Sequence, residues 1–204
     1  MKENIENKKD QNGKNLEFLL EEFKQCYEHM RHYDNIKLSL SKFAFSFYST
    51  IATIVFALER YFYIEKSLNS VHLFLSGLLG LTFIIGIMLI YMLTQNRLYF
   101  VRVARQTNHI RGTFLSRLNF NFEGLLSADK SKPYPLNFKS THLFLILLFI
   151  LINSIVLGFA LAFGLFYFGL SKNVIISFSF VISLVSSILL IFFTKNKLSK
   201  PEEI

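Results

Sequence analysis

The chain is missing charge where a soluble domain would carry it. Residues 43–58, 67–96, 140–171 and 173–194 contain no Asp, Glu, Lys or Arg. There is no tryptophan, and the chain has three prolines and one cysteine. A helix needs about 20 apolar residues to cross a hydrocarbon core of about 30 Å, so the long uncharged runs exclude an ordinary water-soluble domain. The lone Cys26 excludes a disulfide framework and a cysteine metal site, and predicts a buried helix-face thiol. The middles of the runs have no ionisable carboxylate or cation, which argues against a transporter that couples to buried titratable groups. No Walker A, glycine-rich phosphate loop, HExxH or Ser-His-Asp arrangement occurs, so the chain reads as a non-enzyme with neither cofactor nor metal. The first 42 residues are polar, so no cleavable signal peptide is expected and the first span serves as its own insertion signal.

Hydrophobic residues make up 52% of the chain and 24 of them are Phe. The predicted fold is all-α, a four-transmembrane-helix protein with spans at about 42–64, 71–95, 141–168 and 173–194. The first uncharged run is short. It reaches across if Lys42 snorkels and if Glu59 and Arg60 sit at the far interface beside the aromatic belt of Tyr61 and Tyr63. Of the 22 Lys and Arg, eight precede the first span, two lie in the first connection, eight in the second, one in the third and three in the tail. The positive-inside rule then places both termini and the second connection in the cytoplasm, with the chain multi-pass in its membrane.

Outside the spans the chain divides by composition. Residues 1–14 are rich in Lys, Asn, Glu and Asp and predict a disordered lead. Residues 15–41 predict a cytoplasmic amphipathic helix capped by Asn15. Leu16, Leu19, Leu20, Phe23, Cys26, Tyr27, Met30 and Tyr33 recur at helical spacing, with Glu17, Glu21, Glu22, Lys24, Glu28 and Arg31 between them. Acidic and basic charges cancel over the first 42 residues, which suits packing on protein better than on anionic lipid. That partner is either the chain's own body or a second subunit in a short coiled coil. Segment 96–140 is the opposite, with Arg97, Arg102, Arg105, Arg111, Arg117, Lys130, Lys132 and Lys139 against only Glu123 and Asp129. Phe100, Val103, Thr107, Ile110, Phe114 and Leu118 extend the second span as a basic stalk to about Asn119, after which Pro133 and Pro135 help return the chain to the membrane. Residues 195–204 form a cytoplasmic tail. The five arginines of the stalk are the candidate signal- or partner-binding residues, for lipid headgroups, an acidic protein, RNA or a nucleotide signal.

Within the spans, small residues recur every fourth position: Ser49, Thr53 and Ala57; Ser76 and Gly80; Ser154, Gly158 and Ala162; Ser179, Ser183 and Ser187. Such faces let helices approach closely, in one subunit or in a homo-oligomer. Asn153, the one amide deep in a long span, needs a hydrogen-bond partner and reads as bundle glue. His29 and His32 share a helix face but lack a third ligand. Arg102 and His109, with Asn108 beside the histidine, are similar to the Arg-x6-His signature of HEPN nucleases.

The lead helix, the string Glu28-His29-Met30-Arg31-His32-Tyr33-Asp34 at the membrane entrance and the two spans that follow resemble SLATT domains, two-span effectors associated with nucleotide second-messenger synthases. That resemblance covers residues 15–95. In size and span count the whole chain resembles the four-span accessory proteins encoded beside type VI-B RNA-guided CRISPR nucleases. The resemblance implies an oligomeric, non-enzymatic effector or accessory protein of prokaryotic antiviral defence, which alters membrane integrity or regulates a cytoplasmic nuclease. Two alternatives stand beside it: a membrane-tethered HEPN-like ribonuclease using Arg102 and His109, and a housekeeping structural subunit or small channel.

Overall fold

The computed structural model describes the backbone of residues 2–65, 68–118 and 140–199. The described residues form four helices: α1 Lys2–Glu65, α2 Leu68–Leu118, α3 Thr141–Tyr167 and α4 Lys172–Ser199. Each is long and apolar enough to cross a membrane. The protein is an all-α, four-span membrane protein. In lipid a helix satisfies its own backbone, and the three prolines all fall outside these helices, so nothing interrupts the ladders.

Three of the elements differ from the expectation at an end. α1 starts at Lys2, so the lead expected to be disordered over 1–14 continues the amphipathic helix. The physical reason is propagation. Lys, Glu, Gln and Asn tolerate a helix, the segment has no proline, and each added residue gains a hydrogen bond once a turn exists downstream. Gly13 is its single weak point. α4 runs to Ser199, five residues beyond the expected end of the fourth span. α2 ends at Leu118, one residue short of the expected end of the stalk.

The chain forms two compact units, one drawn from residues 1–36 and 96–135 and the other from 37–95 and 136–204. In the first, α1 and α2 pair antiparallel. The Asn96 amide donates to the Tyr33 carbonyl at 2.9 Å, Thr107 Oγ1 contacts Met30 Sδ at 3.7 Å, and Gln106 Nε2 donates to Glu22 Oε2 at 3.3 Å. Tyr33 stacks on Tyr99, with ring centroids 5.9 Å apart. Cys26, Leu98, Val101, Ala104, Thr107 and Ile110 are buried along this seam. The amphipathic helix therefore packs within its own chain.

In the second unit two apolar clusters hold the helices together. One joins Ala44 and Tyr48 of α1, Leu89, Ile90 and Leu93 of α2 and Ile146, Phe149 and Ile150 of α3. The other joins Val55, Val71, Leu75, Leu79, Ala160 and Phe163. α3 turns into α4 through Gly169 at φ 70°. The Gly169 amide donates to the Phe166 carbonyl at 3.0 Å and the Leu170 amide to the Leu165 carbonyl at 3.4 Å, the paired bonds of a Schellman stop. Only glycine enters that left-handed region freely.

Candidate functional site

Two places concentrate polar groups, and they belong to different units. In the membrane unit the centre is Asn153, whose side chain is fully buried. Its Nδ2 donates to the Phe83 carbonyl of α2 at 3.2 Å, and its Oδ1 accepts from the Tyr48 hydroxyl of α1, also at 3.2 Å. One amide thus links three helices. The link needs a backbone gap, which Gly86 supplies: a Cβ there would overlap Asn153 Oδ1 and the Tyr48 hydroxyl. The second contact of this kind lies between α3 and α4. The Ser183 hydroxyl donates to the Ser154 carbonyl at 2.7 Å. A Cβ on Gly158 would sit 3.3 Å from Ser183 Cβ and 3.4 Å from the Ser179 carbonyl, so these two helices are in van der Waals contact.

The expected packing residues therefore separate. Asn153, Gly158, Ser179 and Ser183 lie at helix contacts. Ser187 is half-buried one turn further along α4. Gly80 does not serve as a close approach, because an added Cβ would meet nothing within 4 Å. Sequence spacing singled it out through Ser76, but Ser76 instead meets α3, its hydroxyl 3.0 Å from where a Gly164 Cβ would lie. Gly86, Gly164 and Tyr48 were missed. The available signal was Tyr48 itself, a tyrosine inside a span and away from either interface, where its hydroxyl requires a partner such as Asn153.

The second place is the arginine ladder of α2 in the other unit. Arg97, Arg102, Arg105 and Arg111 are all partly buried. Arg117 lies in α2 outside the residues whose side chains are described. Arg102 sits over the Tyr99 ring at 5.3 Å from its centroid and Arg97 over Phe100 at 5.8 Å. Burial lowers the Arg97 pKa from its ordinary value, opposed by the raising pull of Asp34, and burial lowers that of Arg105 too. A guanidinium keeps its proton regardless, so both arginines stay charged in partly buried positions. Cys26, on the packed face of α1, has its thiol pushed up by burial, against a lowering hydrogen bond from Thr107, with Glu22 adding to the rise. It is a protected thiol.

His109 is exposed, two helical turns from Arg102. The arrangement places both on one side of α2, about 10 Å apart along its axis. His29 and His32 are exposed on α1. Among the described residues no three His, Cys, Asp or Glu side chains come together as a metal site requires. Set against protein-family models, curated proteins and solved structures, the chain matches none of them, and its function has to be argued from its own residues.

Proposed function

We propose that the protein is a signal-receiving effector or accessory subunit of a prokaryotic inner membrane, both termini cytoplasmic, acting as a homo-oligomer without catalysis of its own. The observation that carries this reading is helix continuity. α2 runs unbroken from its apolar span to the arginine ladder, so the helix that bears the ladder is the one that becomes span 2. A ligand held by the ladder therefore binds on the helix that continues as span 2. The ladder suits an anionic partner: an acidic cytoplasmic defence protein, RNA or a nucleotide signal. Phage infection is the setting that the SLATT-like and type VI-B-like architecture implies, and the output is a leak across the bilayer or control of a nuclease.

The test is the mass of the detergent-solubilised protein by light scattering, together with dye release from liposomes. A defined oligomer that releases dye supports the reading. A monomer that leaves liposomes intact, with or without anionic ligand, overturns it. A second reading rests on the exposed His109 and its placement on the side of α2 that carries Arg102. If the protein is a tethered ribonuclease, His109→Ala abolishes RNA cleavage and leaves the oligomer unchanged.

A further inference from the structure

At one end of the membrane unit a helix N-terminus without a side-chain cap stands beside a buried hydroxyl without a partner. α3 starts at Thr141 with Ser140 as its N-cap, extended at φ −82° and ψ 125°, yet the Ser140 side chain makes no capping bond. The first helical bond runs from the Phe144 amide to the Ser140 carbonyl at 3.1 Å, so the three amides before it have no acceptor inside the helix. No acidic residue stands in that first turn to meet their partial positive charge.

α4 brings the hydroxyl to the same place. Its buried seam of Ile175, Ser179, Ser186, Thr194 and Leu198 is the face whose Ser183 donates to the Ser154 carbonyl of α3. The two helices follow one another through a tight turn and run antiparallel, so eleven residues on from that bond Thr194 stands opposite Leu143. Leu143 and Leu198 are both buried, as this register requires. Thr194 is 3% exposed, and its Oγ1 has no hydrogen-bond partner. Thr53, Thr82, Thr94, Thr107 and Thr113 donate to the carbonyl four residues back, whereas Thr194 does not. A buried hydroxyl left unsatisfied is costly, so an acceptor at this spot is favoured.

We propose that the start of α3 and the turn of α4 from Thr194 to Lys197 hold the phosphate of an anionic phospholipid. Depth selects a lipid. Residues 140–171 and 173–194 are the uncharged runs, so Ser140 and Thr194 both stand where a span meets the headgroups. Charge selects an anion. Within the membrane unit this end bears Lys37, Lys42, Lys195 and Lys197, and among the described residues no carboxylate. The adjoining sequence adds Lys139 and Lys200 against Glu202 and Glu203, which leaves the end basic. The next charges along the chain, Asp34 and Arg97, belong to the other unit and are of opposite sign. The far end of the spans has Glu59 and Glu65 against Arg60, Lys66 and Lys172, which is close to balance. The carbonyl end of α4 also lies at the basic end, and Lys197 in its last turn offsets that partial negative charge. A phosphate oxygen between the first amides of α3 and Lys197 accepts from Thr194 and ties two spans together at the bilayer surface.

The test is lipid binding to the detergent-solubilised full-length protein, read by native mass spectrometry with phosphatidylglycerol and phosphatidylcholine of equal chain length. Phosphatidylglycerol is expected to bind at least about ten-fold more tightly. Thr194→Val should weaken it by about ten-fold, the worth of one hydrogen bond to a charged group, while Thr194→Ser keeps it. Lys197→Gln should weaken it too, and Lys172→Gln at the far end should not; this pair carries the test if Thr194→Val does not fold. Thermal unfolding of Thr194→Val in lipid-free detergent should match or exceed wild type, because the hydroxyl it removes has no partner there. Marked destabilisation in that assay would mean that the hydroxyl is bonded within the protein, and would overturn the site. Equal phosphatidylglycerol binding by Thr194→Val and wild type would reduce the effect to diffuse charge attraction. Equal binding of the two lipids removes the anion from the proposal, and displacement of phosphatidylglycerol by inorganic phosphate at equal concentration removes the lipid.

Discussion

Asn153 is the polar link of the membrane unit, joining α3 to α1 and α2. Its amide has a donor and an acceptor partner on two other helices, so Asn153→Leu leaves the Tyr48 hydroxyl buried without its acceptor. Interhelical hydrogen bonds in bilayers contribute modestly, and the expected loss is about 1 kcal/mol in SDS-induced unfolding followed by circular dichroism. Gly86→Ala should cost more, about 1–3 kcal/mol, because its methyl group collides with both partners and forces helix displacement. Gly80→Ala is the control: it meets nothing and should be neutral, or stabilising by up to about 1 kcal/mol through helix propensity. Equal destabilisation by the two alanines would contradict the packing described. For Cys26, burial raises the thiol above its ordinary 9.0. The folded state then holds the proton more tightly than the unfolded state. Its contribution is complete below pH 9.0 and disappears as pH climbs through the raised value. Wild-type protein should lose stability above that pH more steeply than Cys26→Ser in pH-dependent unfolding.

At the scale of elements, the turn from α3 to α4 carries a backbone requirement. Gly169→Ala places a side chain in the left-handed region and is expected to cost about 1 kcal/mol in the same assay, because the αL penalty falls on every residue except glycine. The helices themselves were legible from residue type and spacing: long uncharged runs gave the spans, and Phe100, Val103 and Ile110 carried α2 out beyond the membrane. Their partners were less so. Leu16, Leu20 and Tyr27 share a periodic stripe with Cys26 and Met30, yet the structure divides that stripe into a covered seam and an open one. A 3.6-residue period marks an apolar face broad enough for two neighbours without saying how many arrive. Gly80 and Gly86 illustrate the same limit. Both are glycines in an apolar helix, and which one touches α3 depends on the long-range register that Asn153 sets.

For the molecule as a whole, the arginine ladder is the feature whose removal should separate insertion from action. Reversing Arg102, Arg105 and Arg111 to Glu leaves the uncharged runs unaltered, so the protein should still reach the membrane, while the proposed function predicts that liposome release is lost. Retained activity would remove the ladder from the mechanism. Because the attraction is electrostatic, any anionic ligand should bind more weakly as salt rises from 50 to 200 mM, by about ten-fold for every two phosphates neutralised. Labelling single cysteines placed at Lys24 and Lys172 from either side of sealed vesicles tests the orientation, with Lys24 expected on the cytoplasmic face and Lys172 opposite.

The hairpin of α1 and α2 also sets an order of assembly. Ser183 and Ser154 are 29 positions apart, whereas the hairpin joins Tyr33 to Asn96 across 63 positions and Glu22 to Gln106 across 84. Two helices joined at one end close like a zipper, because each contact shortens the loop that the next must close. Among the described hydrogen bonds of this hairpin, that of Gln106 with Glu22 closes the longest loop. Under the proposed function, the end of the hairpin that would meet a signal is thus the end whose contacts close the longest loop, where separation frees the most chain.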